Sequence, residues 1–119
     1  MSIVLIVGLC LFVFGCAHTN KRSHEDMLKY GIKLAKAGYW HEAAYHWRQI
    51  LNEDPDNVAA LNNLAIAAET EGYPRESHNA LAKALELRPD SKPIRKNLMA
   101  LEIRFKEEIV PKKEQNDEK

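Results

Sequence analysis

The chain has 119 residues, with 17 basic and 17 acidic side chains and a formal net charge of zero. This length fits one small domain. The balanced charge argues against a nucleic-acid partner, because nucleic-acid-binding domains carry a basic stripe.

The amino-terminal segment is apolar. Residues 1–19 contain no charged side chain, and residues 3–15 are all apolar or glycine. A run of this length matches the core of a signal peptide and is shorter than the roughly 20 residues that a membrane-spanning helix needs. Both cysteines, Cys10 and Cys16, lie within or directly after this run. The rest of the chain therefore has no internal disulfide, and its stability must come from packing.

The sequence Val13-Phe14-Gly15-Cys16 resembles the bacterial lipoprotein cleavage box, with an aliphatic residue, a small residue and then the cysteine. In that family the cysteine takes the lipid and the peptidase cuts before it. The resemblance therefore implies a signal peptide over 1–15 and a lipidated Cys16 that carries palmitate. Cys10 is the poorer candidate because Leu9 precedes it. The alternative is an uncleaved signal anchor, in which Cys16 is an ordinary thiol.

Residues 16–23 then form a short polar tether. The stretch after Cys16 reaches at most about 25 Å when extended, so the folded part is expected close to the membrane surface. The expected location is the bacterial envelope, facing the periplasm. Ala17 follows the cysteine instead of Asp, which by resemblance to enterobacterial lipoproteins favours the outer membrane.

After the tether the chain repeats with a period of 34 residues. The pair Gly38-Tyr39 recurs as Gly72-Tyr73, and Pro55-Asp56 recurs as Pro89-Asp90. Each glycine predicts the left-handed residue that ends a helix, and each proline separates two units. One supersecondary unit copied along a chain predicts a stack of helical hairpins.

Apolar residues within each unit recur at i, i+3, i+4 and i+7, which is the spacing of one helix face. Asp56 or Asn57, and Asp90 or Ser91, can cap the helices that follow the prolines. We also expect Phe105, in a last helix, to be buried. The predicted core residues of the two units are Met27, Tyr30, Gly31, Leu34, Ala43, Trp47, Ile50, Leu61, Leu64, Ala65, Ala68, Leu81, Ala84 and Leu85.

This pattern resembles the tetratricopeptide repeat (TPR), a 34-residue helix-turn-helix. The units cover 24–57 and 58–91, and a third begins at 92 without a second Gly-Tyr turn. The resemblance implies an all-α, antiparallel helix-turn-helix solenoid of about five helices. Residues 92–109 are the expected capping helix. The polar residues 110–119 are expected to form a disordered tail.

In this family, partners bind the concave face that the first helices of the units form. Stacked Asn63 and Asn97 amides would suit a peptide backbone, which needs both donors and acceptors. The cations on this face would suit an acidic partner. Carried over by repeat position, the predicted partner-binding residues are Lys29, Ile32, Lys36, Asn62, Asn63, Ile66, Lys96, Asn97 and Arg104.

No catalytic constellation is present in the sequence. His41 and His46 are five residues apart and do not form an i, i+4 metal pair, so we expect neither a metal nor another cofactor. The predicted function is that of a non-enzymatic adaptor, anchored in the envelope, that binds a protein or peptide; by resemblance, such lipoproteins serve envelope complex assembly. The alternative is a homo-oligomer that self-associates through the uncapped first helix.

Overall fold

The computed structural model describes residues 21–109, which contain six α-helices and no β-strand. The predicted all-α fold is confirmed. The predicted lipidation site Cys16, the signal peptide and the tail over 110–119 lie outside the described residues. The helices are α1 (21–36), α2 (Trp40–Glu53), α3 (Val58–Thr70), α4 (Pro74–Leu87), α5 (Lys92–Arg104) and α6 (Lys106–Ile109).

The helices form a repeat of antiparallel hairpins. Helices α1 and α2 make the first unit, α3 and α4 make the second unit, and α5 with α6 makes the third unit. Helix α3 packs on both α2 and α4, and α5 packs on α4, so each unit contacts its neighbours along the chain. Helix α1 already includes residues 21–23, which the sequence assigned to the tether.

The turn inside each complete unit is built on a left-handed glycine, as predicted. Gly38 has φ +91° and Gly72 has φ +86°. In the first turn the Tyr39 amide donates to the Leu34 carbonyl at 3.0 Å, and in the second the Tyr73 amide donates to Ala68 at 2.7 Å. This closing bond ties off the last turn of the helix and directs the chain into the next one.

The two inter-unit junctions start their helices differently. The Asn57 side chain accepts a hydrogen bond from the Ala60 amide at 3.0 Å and caps α3. Ser91 occupies the equivalent place before α5, but its side chain makes no capping bond. Pro74 lies in the first turn of α4, where a missing N–H leaves no helix bond unmade.

Two buried clusters form the core, one at each junction between units. The first joins α1, α2 and α3, and the second joins α3, α4 and α5. Most predicted core positions are buried or partly buried there. The buried members of the two clusters are Ala35, Ala43, Ala44, Trp47, Ile50, Ala60, Leu64 and Ala67, then Leu61, Ala65, Ala80, Leu81, Ala84, Ile94 and Leu101.

Tyr30 is a wrong prediction for the core. Its side chain is 50% exposed, and its ring meets the His46 ring edge-on at 4.9 Å between centroids. The equivalent residues of the later units, Leu64 and Leu98, pack against the unit that precedes them. The described chain holds no helix before α1 for Tyr30 to pack against.

The expected capping helix over 92–109 is divided in two. Phe105 leaves the helical conformation, with φ −121° and ψ +30°, and α6 then contacts α4 as well as α5. The break allows Phe105 and Ile109 to pack against the second core cluster. The Arg75 guanidinium also donates to the Glu108 carbonyl at 3.2 Å, which holds α6 against α4.

Candidate functional site

A pocket of about 430 Å³ lies between the first unit and α3. We call it the α1–α3 pocket. Four of the nine predicted partner-binding residues line it, together with three residues that were not predicted to bind. Its lining consists of Ile32, Ala35, Lys36, Trp40, Trp47, Asn63 and Ile66.

The repeat itself creates the apolar walls of this pocket. Ile32 and Ile66 are 34 residues apart, so they hold the same place on neighbouring helices, and each is 39% exposed. The small side chain of Ala35 also lines the pocket. Trp40 begins α2 directly after the glycine turn, and buried Trp47 contributes from the same helix. Two aliphatic and two aromatic residues thus give the pocket a mainly apolar surface.

Two polar groups lie in the lining, Lys36 and Asn63. The ion pairs within residues 21–109 involve other cations, such as Arg48 and Lys83, and leave the exposed Lys36 ammonium unpaired. The Asn63 amide likewise makes no side-chain hydrogen bond among the described residues. An apolar pocket with a few polar groups is the usual form of a ligand site, because the polar groups fix orientation.

Three other predicted residues are engaged within the protein. The Asn97 Nδ2 donates to the Asn62 Oδ1 at 3.2 Å, so the Asn97 amide already has a partner within the stack. Arg104 forms an ion pair with Glu69. These bonds join α3 to α5 and brace the stack, and they leave the α1–α3 pocket as the open part of the predicted site.

The last two predicted residues lie elsewhere. Lys29 is exposed on α1 and does not line the α1–α3 pocket. Lys96 lines a different pocket, on the outer face of α5. The nine predicted residues therefore form three groups. Four line the α1–α3 pocket, three take part in bonds between α3 and α5, and two are cations elsewhere on the surface.

The sequence prediction did not place the two tryptophans in the lining of this pocket. It assigned Trp47 to the core, which is correct for a side chain that is 2% exposed, and it did not include Trp40 among the binding residues. A signal for Trp40 was present, because the second unit has Pro74 at the equivalent position. An aromatic residue in one unit alone is not required by the shared architecture.

A larger pocket of about 680 Å³ lies where the first turn of α1 meets the Pro55 loop. It mixes carboxylates such as Asp56 with cations such as Arg88. Its buried polar group, His24, already donates to Glu53 at 2.9 Å. Because charges of both signs line this pocket, its lining does not favour a ligand of one charge.

Within residues 21–109, no group of three His, Cys, Asp or Glu side chains is placed to hold a metal ion. None of the helices in this range is both long and apolar enough to cross a bilayer. No protein-family model and no curated protein matches the chain. The helical repeat and the chemistry of its pockets are therefore the features that indicate a function.

Proposed function

We propose that this protein is a non-enzymatic TPR adaptor, anchored to the bacterial envelope through Cys16, that binds a segment of a partner protein in the α1–α3 pocket. The observation that supports this function most directly is the pocket itself. It combines exposed Ile32 and Ile66 with Lys36, which makes no ion pair within residues 21–109, on the face that first helices share.

The lining defines the ligand that fits. One large apolar side chain of the partner would lie between Ile32 and Ile66 and against Trp40. The Asn63 amide, which can donate and accept, would bind the peptide backbone beside that side chain. The Lys36 ammonium would bind a nearby carboxylate, from an acidic side chain or a chain terminus. The ligand is thus a short extended peptide with an apolar residue followed or preceded by an acidic one.

Site-specific photocrosslinking in the host cell tests this proposal. A photoreactive amino acid at position 63 is expected to give a discrete crosslinked product. The same amino acid at position 79, an exposed position on α4, is the matched control and is expected to give none. Identical products from both positions would argue against a binding site in the pocket.

A second variant separates binding from folding. Ile66→Glu places a charge between the two isoleucines, and we expect the crosslinked product from position 63 to disappear. Because Ile66 is 39% exposed, the unfolding midpoint measured by circular dichroism should change little. A product that persists in the Ile66→Glu variant would mean that the partner contacts position 63 from outside the pocket.

The anchor has its own test. Cys16→Ser is expected to remove palmitate labelling and to move the protein out of the membrane fraction, because two or more acyl chains anchor a protein stably and their loss leaves nothing equivalent. Cys10→Ser is the matched control and should retain both. A Cys16→Ser protein that stays in the membrane fraction would favour the uncleaved signal anchor.

Self-association through α1 is the alternative function, and the residues of α1 weigh against it. The positions that pack against a preceding unit hold Ile94 and Leu101 in α5, which are 5% and 0% exposed. In α1 the same positions hold Asp26 and Lys33. Charged side chains at these places disfavour burial against a second copy.

A further inference from the structure

The outer face of α5 carries two strongly exposed apolar side chains. Met99 is 56% exposed and Ile103 is 81% exposed. They lie in a shallow pocket of about 390 Å³ that also includes Ala100. Three cations complete its lining, namely Lys92, Arg95 and Lys96.

The repeat shows what covers this face in the other units. Met99 holds the place of Gly31 in the first unit and of Ala65 in the second. Trp47 of α2 lies directly against Gly31, and Leu81 of α4 shares a buried cluster with Ala65. In both complete units, therefore, the second helix of the hairpin covers this position.

The third unit has no comparable second helix within residues 21–109. Helix α6 has four residues and packs against α4 and α5, and Met99 and Ile103 stay exposed beside it. The following residues, 110–119, contain only Val110 and Pro111 as apolar side chains. They do not offer the row of apolar residues by which α2 and α4 cover their partners.

The charge on this face selects the kind of occupant. Lys92 and Lys96 make no ion pair within the described range, and Arg95 donates to the Pro89 carbonyl instead of to a carboxylate. Helix α1 has five cations and two carboxylates, so a second copy stacked on this face through α1 would bring net positive charge, which these three cations repel. Acidic side chains on the occupant would be attracted to the same place.

We propose that the outer face of α5 binds an acidic amphipathic helix of another protein, which completes the third unit. The helix would lie antiparallel to α5, as α2 lies against α1, with a length near the 14 residues of α2 and α4. Its apolar residues would cover Met99 and Ile103. Its carboxylates would lie near Lys92, Arg95 and Lys96. This surface is separate from the α1–α3 pocket and does not depend on it.

A pair of synthetic helices tests the proposal on the full chain by fluorescence polarisation. Both probes are 14 residues long and repeat the apolar spacing of α4, and the exposed positions are Glu in one and Lys in the other. The Glu probe is expected to bind and the Lys probe to bind at least tenfold more weakly. Ile103→Asp should weaken the Glu probe at least tenfold. Lys92→Glu combined with Arg95→Glu should reverse the preference between the probes.

Ile66→Glu is the matched control, because it alters the other pocket and should leave binding of the Glu probe unchanged. Circular dichroism confirms that each variant is folded. Equal binding of the Glu probe to the unmodified chain, to Ile103→Asp and to the charge-reversed variant would overturn the proposal.

Two further results would overturn it in favour of another occupant. The occupant would be a lipid surface if vesicles containing phosphatidylglycerol bind the unmodified chain but not the charge-reversed variant. In that case the Glu probe would not bind the chain. Sedimentation velocity would identify a second copy if the chain self-associates and Ile103→Asp abolishes the association.

Discussion

The contact between Gly31 and Trp47, within the first unit, shows that the two units pack the same position with different pairs of side chains. A Cβ atom at Gly31 would lie 2.5 Å from the Trp47 Nε1 and 2.8 Å from its Cε2. The second unit holds Ala65 and Leu81 at the same two repeat positions. A large second-helix residue thus faces glycine and a smaller one faces alanine, so the two positions compensate in volume.

We therefore predict that Gly31→Ala lowers the free energy of unfolding by about 1–3 kcal/mol, because the indole must move. Adding Trp47→Leu should make the double variant more stable than the sum of the two single losses, by about 0.5–3 kcal/mol. The Trp47 Nε1 has no partner among the described residues, so its removal loses no hydrogen bond. Urea unfolding of the four proteins measures the coupling, and strict additivity would contradict the proposed compensation.

For single residues, the sequence predicted burial in the core correctly wherever the repeat position alone determines whether a side chain is covered. Ala43, Trp47 and Leu81 are 0–2% exposed. It was wrong for Tyr30, because burial at that position needs a neighbour that α1 does not have among the described residues. Repeat register identifies the face of a helix, whereas the place of the unit in the stack decides whether that face is covered.

Among the helices, the two inter-unit junctions offer a matched comparison. Asn57 and Ser91 hold the same repeat position before α3 and α5, but only Asn57 accepts a hydrogen bond from a helix amide. We predict that Asn57→Ala lowers the free energy of unfolding by about 1 kcal/mol and that Ser91→Ala changes it by a few tenths at most. Chemical denaturation of both variants checks this. Equal losses would mean that Ser91 caps α5 in solution.

Glycine, proline and apolar spacing predicted helices α2 to α5 and the turns between them, but not the break at Phe105. Helical spacing from Leu98 to Ile109 is compatible with one straight helix. The break is a tertiary effect, since α6 gains contacts with α4 when it turns. Local patterns cannot show which of two packings buries Phe105 and Ile109 better.

The candidate site was predictable only in part, because repeat position identifies the face of a helix but not the contacts of each side chain. Repeat position placed Ile32, Lys36, Asn63 and Ile66 on one face, and all four line the α1–α3 pocket. It could not show that Asn97 is bonded to Asn62, because that bond depends on the side-chain directions of two packed helices.

The first and third units of the described stack differ in the side chains on their outer faces. Helix α1 has charged residues, Asp26 and Lys33, where α5 has buried Ile94 and Leu101. Capping units of helical stacks need a polar outer face to remain soluble. Asp26 and Lys33 give α1 a polar face of this kind, whereas α5 keeps Ile103 exposed at the other end of the described helices.

If the charges at Asp26 and Lys33 keep the first end from associating, their replacement should create an interface. We predict that Asp26→Ile combined with Lys33→Leu, the residues of α5 at those positions, makes the chain form concentration-dependent oligomers. Light scattering after size-exclusion chromatography measures the mass. Asn79→Ile combined with Glu86→Leu is the matched control, because these exposed residues of α4 are also seven apart and should leave the mass unchanged. Oligomers in both double variants would indicate general surface hydrophobicity. A monomer mass for both double variants would show that features other than these two charges keep α1 from associating.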